Sequence, residues 1–147
     1  MEYIEYELLR IREQKKNFGD IILSCVQELE NDIRKAIKKR WLKAESVNGG
    51  SITNQSTGNS GYARLSYKKL KLEKNPASGG KIDLTFSGAL GDKIEIIKSS
   101  NGNFEIISTD PKYYKIGDMY GFDEFGLSDD EMSYFMKLLE DKINTKL

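Results

Sequence analysis

Apolar residues near the N-terminus recur at the spacing of one helix face. From residue 20 to about residue 44 they fall at steps of three and four, which predicts a long amphipathic helix. The same spacing over residues 1–17 predicts a short helix in front of it, and the Asn17-Phe18-Gly19-Asp20 segment is typical of a helix end followed by a new N-cap. The apolar positions of the long helix are Ile22, Val26, Leu29, Ile33, Ile37 and Trp41.

Residues 45–61 interrupt this pattern. They read ESVNGGSITNQSTGNSG and hold almost no side chain that a core could bury. Because so little apolar surface is available to offset the entropy of ordering the chain, we expect a flexible arm or loop here.

Apolar and polar residues alternate in four later segments, which is the period of a strand with one buried face. In the second of them Asp83 alternates with Ile82 and Leu84, so we expect its side chain to face water. The third and fourth flank Asn101-Gly102, a strong hairpin signal. The segments are the one around Leu70 and Leu72, and residues 81–86, 93–98 and 103–108.

The C-terminal segment carries the clearest helix signal. Ser128 is a predicted N-cap and Glu131 follows three residues later, which makes a capping box. The chain is therefore predicted to be one α+β domain over residues 1–147, with a long N-terminal helix, an antiparallel sheet of about four strands and a C-terminal helix packed on the sheet. The apolar stripe of that last helix is Met132, Phe135, Met136, Leu139 and Ile143.

Composition narrows the chemistry. The 147 residues include no histidine and one cysteine, which excludes an internal disulfide, a Cys/His zinc site and imidazole catalysis. Cys25 falls at a helical apolar position and is expected to be a small core residue. The formal net charge is zero, with 23 basic and 23 acidic residues, so no global attraction to nucleic acid follows. We expect no enzyme, no cofactor and no metal.

The long helix carries six basic residues and no acid over residues 34–43. Most of them fall opposite Ile33 and Ile37, so a basic stripe backs an apolar one. Such a stripe could contact nucleic-acid phosphates, but it could equally be a solvated face near a helix C-terminus, where cations favour the helix dipole. The candidate DNA-facing residues are Arg34, Lys35, Lys38, Lys39 and Lys43.

Aromatic residues give a second candidate site. Trp41 lies at the edge of the basic stripe, and a glycine-interleaved aromatic segment spans residues 113–125. Both could bind a partner or pack in the core. The acids at residues 123–131 match no calcium loop, and the capping box already accounts for part of them. The candidate partner-binding residues are Trp41, Tyr113, Tyr114, Tyr120, Phe122 and Phe125.

No apolar run approaches the roughly 18 residues of a membrane span, and residues 1–16 lack the pattern of a secretory signal. We therefore expect no membrane partner and a cytoplasmic location.

Several features follow one another in a fixed order over roughly residues 20–147: the long helix, the polar arm, the Ser87-Gly88-Ala89-Leu90 segment followed by Ile94, the Tyr113-Tyr114 pair with Gly117 or Gly121 downstream, and Phe125-Gly126-Leu127-Ser128 before the last helix. This order of parts resembles the tail-completion, or neck, proteins of bacteriophages, a family of virion morphogenesis.

The resemblance implies a structural subunit of the head–tail interface, present in the virion and in the host cytoplasm before assembly. Its partners would be copies of itself in a ring, neighbouring phage connector and tail proteins, and packaged DNA through non-specific contact. The alternative is a small nucleic-acid-binding or adaptor protein that uses the basic helix of residues 34–43.

Overall fold

A computed structural model describes residues 2–62, 64–85 and 88–147, with only the backbone of Glu2 and Tyr3. The chain is mixed helix and sheet, 61% helical, as the α+β prediction requires in outline. Phe86 and Ser87, which belong to the predicted second strand and to the resemblance, lie outside the described residues. The helices are α1 (Glu2–Leu42), α2 (Leu65–Lys74), α3 (Ala89–Asp92), α4 (Tyr113–Tyr120) and α5 (Asp129–Lys146), with 3-10 helices at Pro76–Ser78 and Phe122–Phe125.

Helix α1 is one continuous helix of 41 residues, so the predicted break at residues 17–20 is wrong. Glycine inside a helix costs about 1 kcal/mol relative to alanine, which weakens a helix without ending it. The helix therefore continues through Gly19, and the good helix formers Gln14, Lys15 and Lys16 precede this segment.

The sheet in the described residues has two antiparallel strands, β1 (Ile94–Lys98) and β2 (Phe104–Ser108), and about four strands are not confirmed. The predicted hairpin is present, with Gly102 at a φ of 86° in the connecting loop. The loop of the hairpin consists of the five residues between the strands. It is closed by a backbone hydrogen bond of 2.7 Å from the Ser99 N–H to the Asn103 carbonyl.

The strand predicted around Leu70 and Leu72 is wrong, because this segment forms α2. Two alternating leucines are too short a signal, and the lysines and glutamate around them are good helix formers. Both leucines are exposed.

Residues 81–85 bury Ile82 and Leu84 as the alternation predicts, but they form no ladder in the described chain. Their sole recorded pairing is an isolated bridge from Lys81 to Gly61, and Leu84 has a φ of 52°, a left-handed conformation that interrupts a strand. The predicted wet face is also wrong, because Asp83 is fully buried.

Helix α1 lies at the centre of the fold, between the hairpin and α5. Near the start of α5, Glu131 forms an ion pair with Arg40, and near its end Lys146 lies 2.6 Å from the carboxylate of Glu28. Helix α5 therefore runs antiparallel along α1, which corrects the expectation that it packs mainly on the sheet. The capping box of Ser128 and Glu131 is confirmed.

One core joins these elements. It is built on the apolar stripe of α1, and Cys25 is buried with it as expected. Its buried members include Leu29, Ile33, Ile37, Trp41, Ile52, Ile82, Leu84, Leu90, Ile94, Ile116, Tyr120, Phe125 and Phe135.

Residues 45–61, predicted as a flexible arm or loop, contact this core at a few points, and their flexibility stays a prediction. Ile52 is fully buried, Glu45 bridges to Ser51, and the Gln55 N–H donates to the Met119 carbonyl at 2.7 Å. A single apolar anchor and a few backbone hydrogen bonds hold a segment whose composition indicated disorder.

Candidate partner-binding site

The first half of α1 projects beyond the rest of the fold. From Ile4 to Phe18 every residue except Glu7 is exposed. Helix α5 ends beside residues 24–28 of α1, where the Lys146 ammonium contacts Ser24 and Glu28. The apolar stripe of α1 therefore continues for about five helical turns past the end of the helix that covers it. We call residues 4–18 the free half of α1.

Large apolar side chains populate this free half. Ile4, Leu8, Ile11 and Phe18 all have 43% or more of their surface exposed, and they follow one another at steps of four, three and seven residues. That spacing places them on one face of the helix. Contiguous exposed apolar surface of this kind marks a site of contact with another molecule.

A second exposed surface lies around α4. The Phe122 ring packs edge-to-face on Tyr113 with a centroid separation of 5.3 Å, and Tyr114 lies beside both. Tyr114 is 73% exposed. Burial, with the neighbouring Tyr114 and Glu105, raises the pKa of the Tyr113 hydroxyl.

Phe122 also borders an open groove of about 500 Å³ between the hairpin and the start of α5. Phe104 and Ile106 of β2 form one side, and Leu127 and Met132 form the other. We call this surface the aromatic groove. It is a second patch with exposed apolar side chains, and its lining also includes Asn48, Asp123, Ser128 and Asp129.

Three of the six predicted partner-binding residues are core residues instead, which corrects that part of the prediction. Trp41, Tyr120 and Phe125 are buried, and the Trp41 indole N–H donates to the Glu124 carbonyl at 3.1 Å. The core position of Trp41 fits the apolar spacing of α1. Tyr113 is half-buried, and Tyr114 and Phe122 are exposed.

Two of the predicted DNA-facing residues are engaged within the fold. Arg34 donates from Nε to the Ile94 carbonyl at 2.9 Å and lies 3.0 Å from the Glu30 carboxylate, which in turn accepts from the Ile96 N–H. This pair covers the outer edge of β1, where unpaired backbone groups would otherwise invite another strand. Lys38 forms an ion pair with Asp92.

The other three predicted DNA-facing residues, Lys35, Lys39 and Lys43, are exposed. They lie four residues apart, so they form one row along the end of α1. The six-charge stripe is thus reduced to three exposed cations, because Arg40 is buried as well.

Arg40 belongs to a buried network that sequence reasoning missed. Its guanidinium donates to the carbonyls of Glu124 and Gly126 at 2.7 and 3.0 Å, and it pairs with Glu131. The Glu124 carboxylate accepts from Ser46 and from the Val47 N–H. The network ties the end of α1 to the aromatic segment and to residues 45–50, so it positions the groove.

A second buried network was also missed. The Lys71 ammonium lies 2.8 Å from the Asp83 carboxylate, and Asn75 donates to the other oxygen at 3.0 Å. Burial alone would raise the pKa of Asp83, but hydrogen bonds from Lys71, Asn75 and the Thr85 N–H, with the lysine charge, hold it below its usual value. Only the tertiary fold brings these side chains together, so no pattern of neighbouring residues in the sequence predicts the network.

The acids at residues 123–131 are dispersed, with Glu124 and Glu131 committed to the arginine network. In residues 2–62, 64–85 and 88–147 no group of three or more carboxylate or cysteine side chains could hold a metal ion. No helix of these ranges is long and apolar enough to cross a membrane.

The described fold therefore has one buried core and two exposed surfaces that carry large apolar side chains, the free half of α1 and the aromatic groove. Comparison with protein-family models, with curated proteins and with solved structures finds no match.

Proposed function

We propose that the protein is a non-enzymatic structural subunit of a bacteriophage virion, located at the head–tail interface as a neck or tail-completion protein. The observation that carries the proposal is the pair of separate exposed apolar surfaces on one small domain, the free half of α1 and the aromatic groove. The order of sequence motifs supplies the phage context.

A subunit inside a ring meets two kinds of neighbour, its own copies beside it and different proteins above or below it. Two apolar surfaces at different places on the fold suit that arrangement, because each can be buried by a different neighbour. A monomeric protein with no partner has no use for either surface, and both would promote aggregation.

The buried ionisable groups fit a structural role. Arg40 donates to the Glu124 carbonyl, and the Glu124 carboxylate accepts from the Val47 N–H. Lys71 and Asp83 form an ion pair inside the fold. Each of these side chains joins two parts of the chain, and the two exposed surfaces are apolar. This arrangement supports a role in binding other proteins and not in catalysis.

The row of Lys35, Lys39 and Lys43 favours one further role, a weak contact with packaged DNA. Three phosphate contacts give an affinity that falls with salt and does not depend on sequence. If this row instead carried the main function, the isolated protein would bind DNA tightly at low salt, which is the nucleic-acid-binding alternative.

The deciding experiment is quantitative mass spectrometry of purified phage particles from the culture that produces the chain, compared with the particle-free lysate. A small fixed copy number per particle, retained after a high-salt wash, is the expected result. Absence from intact particles overturns the proposal, and salt-sensitive DNA binding by the isolated protein then favours the alternative.

A further inference from the structure

From the free half of α1 we infer that this segment pairs in parallel with the same segment of a second copy, forming a short two-stranded coiled coil. The inference does not depend on the virion assignment, because it rests on this helix alone. It names the surface, the partner and the direction of pairing. Because a two-fold pair closes on itself, this contact is separate from the head-to-tail contacts of a ring.

The spacing of the exposed stripe is that of a coiled coil. From Ile4 to Ile22 the positions alternate by steps of four and three, with the single polar residue Lys15 among them, so the row keeps facing a partner helix along its length. Leu9 and Tyr6 are equally exposed but lie outside the stripe. The core positions are Ile4 (d), Leu8 (a), Ile11 (d), Lys15 (a), Phe18 (d) and Ile22 (a).

A helix without a partner is hard to sustain over this length. Isolated helices of about 12–15 residues are marginal in water, and most helical stability in proteins comes from packing of the apolar face. Between Ile4 and Phe18 the sole ion pair of the described residues is Glu7 with Arg10, and an exposed pair of this kind stabilises a helix only slightly. A second helix on the apolar stripe supplies the missing contacts.

Charge complementarity identifies the occupant as a second copy in parallel. In the heptad above, Glu7 occupies a g position and Arg12 the following e position. In a parallel pair these positions meet across the interface, so Glu7 of each chain faces Arg12 of the other. An antiparallel pair with the same core would bring the two Arg12 side chains together, and like charges would oppose it.

Lys15 supports two strands over a larger bundle. It is the one polar residue among the core positions between Ile4 and Ile22. In the parallel pair the two Lys15 side chains lie in the same layer, and their like charges cost stability. A lysine at a single a position fixes register and oligomer state at this cost, because in a two-stranded coil both ammonium groups can reach water from the edges of the interface.

The first test is sedimentation of the full chain over a wide concentration range, with Leu8→Gln and Leu9→Gln as a matched pair. Both leucines are about half exposed, at 49% and 57%, and neither supports the folded core, but only Leu8 lies on the stripe. We expect a concentration-dependent dimer whose Kd rises at least about tenfold in the Leu8 variant and hardly changes in the Leu9 variant.

A monomer at every concentration overturns the inference and leaves the stripe to a different protein. A trimer, or equal effects of the two variants, also overturns it.

The second test addresses direction by reversing charges. Glu7→Lys and Arg12→Glu should each weaken the dimer, and the double variant should recover most of the loss, because the exchanged pair meets again in a parallel coil. Additive losses would contradict a parallel arrangement.

A cysteine in place of Ile11 gives an independent readout, since native Cys25 is fully buried. Mild oxidation should link two chains through position 11, whereas a cysteine in place of Tyr6 should not link them.

Discussion

The ring of Phe122 lies directly on the backbone of Gly117 in α4. A Cβ atom at residue 117 would come within 2.1 Å of the ring, closer than real atoms approach. Residues 121–125 can therefore fold back on α4 only because residue 117 has no side chain, and the position of the Phe122 ring depends on this contact.

Replacing Gly117 with alanine should displace the Phe122 ring and destabilise the fold by about 1–3 kcal/mol, the usual cost of overpacking. Urea unfolding measures the change. Gly19→Ala is the matched control, because no atom lies within 4 Å of its added Cβ and α1 gains a better helix former. The double variant Gly117→Ala, Phe122→Ala should lose less unfolding free energy than the sum of the two single variants. Additive losses would show that the Phe122 ring does not obstruct the added methyl group.

The Lys71 and Asp83 pair should be essential to the packing of α2. Its side chains are 6% and 0% exposed, so Asp83→Asn leaves a buried ammonium without its anion and should cost about 3–5 kcal/mol. Asp92→Asn removes the exposed ion pair with Lys38 and should cost less than about 1 kcal/mol. Unfolding by urea compares the two, and similar losses would contradict a distinct buried pair.

Stability should fall at acid pH partly through Asp83. Because its pKa lies below the usual value in the folded state, the unfolded chain binds the proton more readily, and the contribution is present above about pH 4 and lost as the pH falls through the folded pKa. The difference in urea midpoint between wild type and Lys71→Met should therefore shrink below pH 4. Hydrogen bonds from Lys146 and Lys142 also lower the pKa of Glu28, so Glu28→Gln in both backgrounds removes that second contribution.

The fluorescence of Trp41 should change when the core unfolds and should not change when a partner binds at the surface. It is the single tryptophan and is 1% exposed. Its fluorescence should be blue-shifted and protected from acrylamide in the native protein, and unfolding should shift it to the red. A Trp41→Phe, Tyr114→Trp variant moves the reporter to a surface position and should be quenched readily. Strong quenching of the native protein would contradict the core position.

Substitutions of Arg34 and Lys35 should change the stability of the protein by different amounts, although the two residues are neighbours in one basic run. Arg34→Gln removes a charged hydrogen bond to the Ile94 carbonyl and should destabilise by about 1.5–3 kcal/mol. Lys35→Gln changes an exposed side chain and should stay within about 0.5 kcal/mol of wild type. Thermal unfolding distinguishes them, and equal effects would show that Arg34 does not secure the edge of β1.

The sequence predicts the elements whose signals are local. The capping box at Ser128 and the glycine turn at Gly102 each follow from a few adjacent residues, and both are present. The errors arise where tertiary contacts decide. Leu70 and Leu72 alternate by chance in a segment that is helical, and Asp83 leaves its expected wet face because Lys71, twelve residues earlier, reaches it from α2.

The candidate sites divide in the same way. The aromatic residues are recognisable from the sequence, but periodicity cannot tell Trp41 and Phe125, which are buried, from Tyr114, which is exposed. The free half of α1 is missed as a surface because its stripe looks like that of any core-facing helix. Only the position where α5 ends reveals that nothing in the described fold covers it.

The free half and the core-forming half belong to one continuous helix, whose single glycine is Gly19. A bend of about 10° at that residue would move the tip by about 4 Å over its length of about 25 Å. Because the buried residues of α1 begin at Cys25, such a displacement would leave the core unchanged.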